Sequence, residues 1–415
     1  MTTFDRIEPR LPELIDDLGA ATVPDYFDDM LQRATRSRQR PAWSSLERWL
    51  PMGVIARPLP RPLVPWRPLA ILALLAILAT ATLIYAGSRS RPAPPFGLTR
   101  NGALIIGTVD GDIVTVDPIT GTSRPLISGP TIDGGPYLSF DGQQIVFDRA
   151  MTPGGPTTLF TADADGSNVR AALPEGTQID RFDWSPNRDE AVVVETAGTR
   201  GSLSIANLAT GTRTSVPLDL DVWAANWRPN HDQIVLTTEV GGNRAFWIVN
   251  ADGTGLRPIP VSQYAINEAT LSPDGLTLAY ATWEPGIEGR IRAVDIDSGH
   301  DRSITTNAVD GFVWQSPQFS PDGDSLLVYR FPRGGDPVVS QLALLDVDDG
   351  SATVIGPISP NPPPGVVVSP DGTTIVAEYP ALKTTWIFDA DGTNGHEAPF
   401  AAIGGGGMSW QRAAP

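Results

Sequence analysis

The side chains that could do chemistry are few in type and scattered in position. The 415-residue sequence has no Cys and three His (His231, His300 and His396), no two of them close together. Disulfide and thiolate chemistry are therefore excluded. A metal centre built on spaced His and Cys has no basis in the sequence. The abundant reactive group is the carboxylate, with 47 Asp and Glu against 30 Lys and Arg and a net charge of −17. Some carboxylates recur as Asp-X-Asp-Gly, at Asp163–Gly166 and Asp389–Gly392. That spacing resembles part of a calcium loop but lacks the third spaced ligand and the distal Glu. Ordinary turns are the expectation there. The run Gly404–Gly407 is followed by no Lys-Ser/Thr pair, so it is not a phosphate loop. No catalytic, cofactor-binding or metal-ligating residue is assigned. Carboxylates that converge from separate segments would leave no linear motif.

The elements that must position these groups differ between the two parts of the chain. Residues 1–97 hold 12 Arg against 9 Asp and Glu, whereas residues 98–415 hold 18 Lys and Arg against 38. So acidic a domain repels phosphate backbones, and nucleic acid is not an expected partner. Gly 41 and Pro 40 call for frequent turns and favour short strands over long helices.

Residues 1–40 read as two short helices, the first with an apolar stripe of Ile7, Leu11, Leu14, Ile15 and Leu18. Pro24 suits the first position of the second, with Asp25, Asp28 and Asp29 near its start and Arg33, Arg36 and Arg38 near its end. Forty residues make a small core, so this pair is expected to dock on something else, a cytoplasmic protein being the partner to test. Residues 41–66 form a Pro/Trp/Arg-rich juxtamembrane linker. Residues 67–87 are expected to form one transmembrane helix and to meet the lipid bilayer. The stretch 69–86 has no charge, and eighteen residues at about 1.5 Å each approach the roughly 30 Å hydrocarbon core. Trp66 and Tyr85 stand where interface aromatics belong. Arg48, Arg57, Arg61 and Arg67 before the span, with four more Arg at 33–40, outweigh Arg89, Arg91 and Arg100 after it. The N-terminus is therefore expected in the cytoplasm and the remainder outside it. Residues 88–102 are a Pro-rich spacer.

From residue 103 onward an internal repeat decides the fold. A strand–turn unit begins at Leu138, Trp184, Trp227, Leu271, Phe319, Val368 and Trp410, at intervals of 46, 43, 44, 48, 49 and 42. Its best copy is Leu271-Ser272-Pro273-Asp274-Gly275, in which Pro, Asp and Gly suit successive positions of a type I turn. The apolar residue before each turn is expected to pack between sheets. A second marker, a hairpin, recurs at Asp117–Gly121, Asp163–Gly166, Asn207–Gly211, Asn250–Gly253, Asp295–Gly299, Asp346–Gly350 and Asp389–Gly392. The first hairpin precedes the first strand–turn unit, and the last strand–turn unit has no strands after it. Residues 103–127 thus lack an inner strand that residues 407–412 supply. The expectation is an all-β, seven-bladed β-propeller over 103–415, with a six-bladed ring as the alternative. Because turn geometry accounts for the Pro, Asp and Gly of the repeat, any binding site is expected in the irregular stretches between repeats.

These motifs resemble the TolB-like propeller repeat of bacterial periplasmic propellers and of the propeller domains of prolyl-oligopeptidase-type enzymes. The resemblance covers roughly residues 103–412. It is strong at Leu271–Tyr280, Phe319–Tyr329, Val368–Ala377 and Asn250–Gly255, and degenerate at Phe140 and Arg228–His231. It implies the propeller fold and contacts with proteins or small ligands, not one activity. A peptidase of that type needs an α/β-hydrolase domain, and the repeats leave no room for one after residue 412. The N-terminal layout is similar in plan to membrane-bound anti-sigma factors. The zinc-binding variant of those is excluded, since residues 1–66 have neither His nor Cys. The sequence thus points to a single-pass bacterial envelope protein whose propeller binds or senses a protein or envelope ligand without catalysis and without a cofactor. A channel hydrolase or lyase using carboxylates and calcium is the alternative.

Overall fold

The strand-rich pattern follows from alternation that is apolar in both directions. In a strand, successive side chains point to opposite faces. Runs such as Ala191–Val194 and Leu326–Val328 are apolar at every position, so both faces of their sheets must be covered. The computed structural model shows how. It describes residues 97–413, apart from 174–178, 180, 186–189, 198–199, 241–242, 263, 285–286, 306–310, 335–338 and 401–406, together with Leu74 and Leu75. Among these residues, 28 strands form seven four-stranded antiparallel sheets.

Six sheets are continuous meanders. Blade II, for example, runs Ile132–Leu138, Gln144–Ala150, Thr157–Asp163 and Arg170–Ala171. Blades III to VII start with Arg181–Trp184, Val222–Trp227, Ala265–Leu271, Phe312–Phe319 and Gly365–Val368. Blade I is composite. Its first strand, Met408–Ala413, pairs with Arg100–Gly107, which continues into Ile113–Val116 and Ser123–Ile127. The two ends of the domain share one sheet, as the offset between the markers implies. The six-bladed alternative, with the N-terminal strands outside the ring, is corrected: those strands are a seventh blade.

Seven apolar cores lie between successive blades. Between blades I and II sit Ile105, Ile127, Leu138 and Phe147, and between VII and I sit Val376, Ile387, Leu104 and Trp410. The second strands split residue by residue between the two cores they border: Ile234 and Leu236 face blade III, while Val235 faces blade V. The residue before each turn packs in such a core at all seven units, as the sequence led us to expect.

The strand–turn unit has the anticipated chemistry. In the best copy the Gly275 N–H donates to the Ser272 carbonyl at 2.8 Å, and the Thr277 N–H donates to Ser272 Oγ at 2.9 Å. The turn glycine has a second duty. Gly142 holds φ +67°, and a Cβ there would run into the carbonyl oxygen of Arg412 on blade I. Gly275 does the same against the Pro229 carbonyl of blade IV.

The helices expected over 1–40, the linker over 41–66 and the spacer as far as residue 96 lie outside the described residues; the spacer's expected end at 102 is corrected, because the first propeller strand already begins at Arg100, paired with Met408–Ala413. The span expected over 67–87 also lies outside the described residues, apart from Leu74 and Leu75, which are helical and exposed. Among the described residues no helix is long and apolar enough to cross a membrane.

Gly142→Ala should destabilise the propeller by about 3 kcal/mol or more, combining left-handed strain with the backbone clash. Gly154, with φ +70° and open space around it, provides the control. There the alanine variant should lose only about 1 kcal/mol. Chemical denaturation of the two variants measures the difference.

Candidate functional site

The strands that begin each blade converge. All seven contribute to the lining of one cavity of about 390 Å³, centred where those strands run into their turns. This is the central channel, lined by anchors and turn residues of the blades and, on its polar side, by one column of the repeat: the position just before the apolar anchor. That column reads Tyr137, Asp183, Asn226, Thr270, Gln318, Val367 and Ser409 in blades II to VII and then I. The anchor faces the inter-blade core, so by alternation its predecessor faces away from that core. Tyr137, Asp183, Asn226, Thr270 and Gln318 line the cavity. Ser409 stitches blades instead, its hydroxyl oxygen accepting the Leu138 N–H at 3.2 Å.

Asp183 is the unusual member. Its side chain is buried, with 7 % exposure for the residue. The Trp227 N–H of the next blade donates to Oδ2 at 2.9 Å. The Asn226 amide, the Trp184 N–H and the Tyr137 hydroxyl lie near the same carboxylate and favour its ionised form. Among the described residues no cation forms an ion pair with it. Burial dominates these neutral donors and pushes its carboxyl up to about 7. The Tyr137 phenol is also driven up, first by burial and then by the Asp183 charge. Tyr137 is 38 % exposed and lines the channel. Its ring meets Phe182 edge-on, with centroids 5.7 Å apart.

A second cavity of about 300 Å³ adjoins the first across Asn226, which lines both. Asp148, Thr157, Arg181 and Phe182 border it. Burial raises the Asp148 carboxyl. Behind it the Arg181 and Arg244 guanidiniums lie 3.9 and 4.0 Å from the centroid of the Trp223 ring. A partition of Tyr137, Phe182, Asp183 and Asn226, drawn from three adjacent blades, thus separates two chambers.

The face that carries the strand–turn units is acidic. In a four-stranded meander the first and third connections lie at the same end, so the repeat hairpins join the turns there. Asp165, Asp252 and Asp391 accept the hydroxyl and N–H of Ser167, Thr254 and Thr393, which hold these carboxyls below their usual range. The Asp-X-Asp-Gly carboxylates are thereby occupied by their own turns. The three His sit apart, His231 and His396 each with Nδ1 on a nearby carbonyl oxygen, Pro229 at 2.7 Å and Asn394 at 2.9 Å. His300 lies between the third and fourth strands of blade V. Among the described residues no group of three or more His, Asp or Glu could hold a metal ion.

The degenerate unit at Arg228–His231 is a clamp. Arg228, 2 % exposed, replaces the turn serine and reaches into blade V, donating to the Gly275 carbonyl at 2.7 Å and bidentately to Asp297 at 3.1 and 2.7 Å. That guanidinium holds the Asp297 carboxyl below its usual range. The chain joins the propeller on the same face: Gly97 lines the mouth of the larger chamber, and its carbonyl accepts from Arg412 at 2.6 Å.

Residues 151–403, well over half of the chain, match the TolB beta propeller domain family. The chain belongs to that family. No curated protein matches the sequence. Among solved structures, this TolB-family propeller resembles an oligogalacturonate lyase in complex with manganese. The two share 16 % identity over 76 % of this chain and 98 % of that one, at a TM-score of 0.55. It also resembles the oligogalacturonate lyase of Vibrio parahaemolyticus, at 12 % identity over 72 % and 86 % and a TM-score of 0.52. TolB from Acinetobacter baumannii aligns at 18 % identity over 74 % and 81 %, with a TM-score of 0.49. Identities this low speak for the fold alone.

The sequence assigned no residue to the chamber of this TolB-family propeller. Its polar wall lies inside the repeats rather than in the stretches between them. The available signal was the column before each anchor, which is polar in six of seven units although its neighbours are apolar.

Asp183 makes stability pH-dependent in a defined direction. Its folded value lies above that of a free carboxyl, so the native state holds a proton that the unfolded chain releases. Its contribution is full below about pH 4 and is lost as pH rises through about 7. Asp183→Asn keeps the size of the side chain and removes the titration. The stability of the wild type relative to D183N should fall between pH 4 and 8 by a few kcal/mol, at about 1.4 kcal/mol per unit. Urea titrations at several pH values measure it, and a constant difference would contradict the assignment.

Proposed function

We propose that this protein is a membrane-anchored binding or sensing scaffold. Residues 67–87 form the anchor, residues 1–40 face the cytoplasm, and the extracytoplasmic propeller engages a protein or envelope ligand at its acidic turn face without catalysing a reaction. The observation that supports this most directly is the larger chamber, open on the turn face and walled by a hydrogen-bonding column from successive blades. Concave sites with a few convergent polar groups are where ligands bind. The charge contrast between residues 1–97 and 98–415 and the uncharged stretch 69–86 support the anchor. In this reading residues 1–40 bind a cytoplasmic regulator, so that occupancy outside is reported inside.

A second reading rests on Asp183. A buried carboxyl that titrates near 7 has the property of a general acid–base group, and oligogalacturonate lyases share this fold. The calcium site envisaged for such an enzyme does not fit the described residues. The chamber wall supplies one carboxylate, Asp183, where calcium takes six to eight oxygens, several of them from carboxylates. We route no step through a metal.

Two measurements test the scaffold reading. Protease added to spheroplasts should degrade the propeller and leave a protected fragment containing residues 1–87; a fully protected chain would overturn the topology. A photo-crosslinking amino acid at Gln318 should capture a ligand that the same probe at the outer hairpin residue Asp165 does not. Equal capture at both positions would remove the chamber from the binding surface.

A further inference from the structure

The buried carboxylate of the larger chamber has hydrogen-bond donors around it and no cation. The Trp227 N–H donates to Asp183, and the Tyr137 hydroxyl, the Asn226 amide and the Trp184 N–H lie near it as neutral polar groups. None of them neutralises it, and among the described residues no Lys, Arg or His forms an ion pair with it. The same wall presents oxygens that can accept hydrogen bonds, on Tyr137, Asn226, Thr270 and Gln318. The way in is through the acidic face. There the Asp165, Asp252 and Asp391 carboxyls are held below their usual range by Ser and Thr hydroxyls, so they are ionised at neutral pH. Carboxylates on the outer hairpins of this face favour the approach of cations over anions.

Within the binding function proposed above, we infer that the chamber takes a primary ammonium group, which gives one hydrogen to Asp183 and its other two to wall oxygens drawn from Tyr137, Asn226, Thr270 and Gln318. Three donors on a compact cation suit a ring of acceptors better than the planar fork of a guanidinium does. Pairing favours the ionised carboxylate, so binding below about pH 7 expels the Asp183 proton to solvent while the ligand keeps its own. The other titratable groups near this carboxylate are Tyr137 on blade II, Asp148 and Arg181 in the adjoining chamber, and Arg412 at the mouth on blade I. Arg412 is committed to the Gly97 carbonyl. Tyr137 stays protonated throughout, because its phenol is driven up. Asp183 is therefore the group whose proton is exchanged.

The test is calorimetric titration of 1,4-diaminobutane into the full chain in detergent, at pH 6 and pH 8.5, in two buffers of different ionisation enthalpy. The expected result is one site that releases up to about one proton at pH 6 and much less at pH 8.5. 1,4-Butanediol should not bind, and tetramethylammonium, which has charge but no donor, should bind at least about tenfold more weakly. D183N, checked for folding by its melting temperature, should weaken diamine binding at least about tenfold and abolish proton release. Gln318→Leu, on the opposite wall and outside the Asp183 hydrogen bonds, should weaken binding with proton release intact. It keeps the test valid if D183N does not fold. A tripeptide amide with a free amino terminus separates the two sources of the group: tighter binding than the diamine indicates a peptide terminus, weaker binding a free amine, and either supports the inference. No binding at 10 mM diamine (a concentration of roughly millimolar-affinity scale), equal binding of the diol, or unchanged proton release in D183N would overturn it. Failure here leaves the Gln318 crosslinking result as the separate measure of the scaffold function.

Discussion

A sheet that is apolar on both faces has no side to give to water, and the propeller follows from that constraint. The middle strands of every blade send alternate residues into two different cores, as Ile145 and Val146 do toward blades I and III. One blade alone would expose half of this surface. An open stack of blades would expose one face at each end, and the row of cores closes only as a ring. Burial of a Val, Leu or Ile side chain contributes about 1.5–3 kcal/mol, so leaving even one inter-blade core open would forfeit an amount comparable to a domain's usual stability margin of about 5–15 kcal/mol. The shared blade, in which Trp410 meets Leu104 between blades VII and I, is therefore the condition for the other six to be stable.

That dependence explains why the turns tolerate so little variation and where variation does appear. A glycine such as Gly142 allows the left-handed turn and lets the neighbouring backbone approach. Where the Ser-Pro-Asp-Gly chemistry lapses, at Arg228, a long side chain also makes contact between blades. Its guanidinium reaches Gly275 and Asp297 on blade V. Asn230, not His231, then takes the positive φ, at +59°. The degenerate repeat thus adds a side-chain clamp to an interface where Gly275 already lies against Pro229.

The ring was legible in the sequence because each of its requirements is local. A turn needs Pro, Asp and Gly at fixed offsets, and a doubly buried strand needs an unbroken apolar run. The missing strand at one end and the surplus strand at the other are visible as a difference between two marker series. The chamber was harder to read because no local rule defines it. Tyr137, Asp183 and Asn226 are 46 and 43 residues apart, and only the rotation from blade to blade brings them together. Chemistry that is clustered along a chain leaves a motif, whereas a column that recurs once per repeat does not. The position before each anchor is where a repeat protein can vary a side chain without disturbing either core.

The column also shows why Asp183 is more than a structural pin. Its equivalents are Tyr, Asn, Thr, Gln, Val and Ser, and every one of those blades closes without a charge at this level. Val367 packs with the apolar core between blades VII and I, and Ser409 makes its inter-blade bond with a hydroxyl. A serine or asparagine at position 183 could accept the Trp227 N–H as Ser409 accepts that of Leu138. A carboxyl there instead costs desolvation whenever it ionises, and neutral hydrogen bonds offset that only in part. The fold is thus indifferent to a group that carries a proton at the pH where its exchange is easiest. A charge the architecture does not need, placed where all seven blades converge, makes the chamber responsive to the charge and donors of whatever enters it.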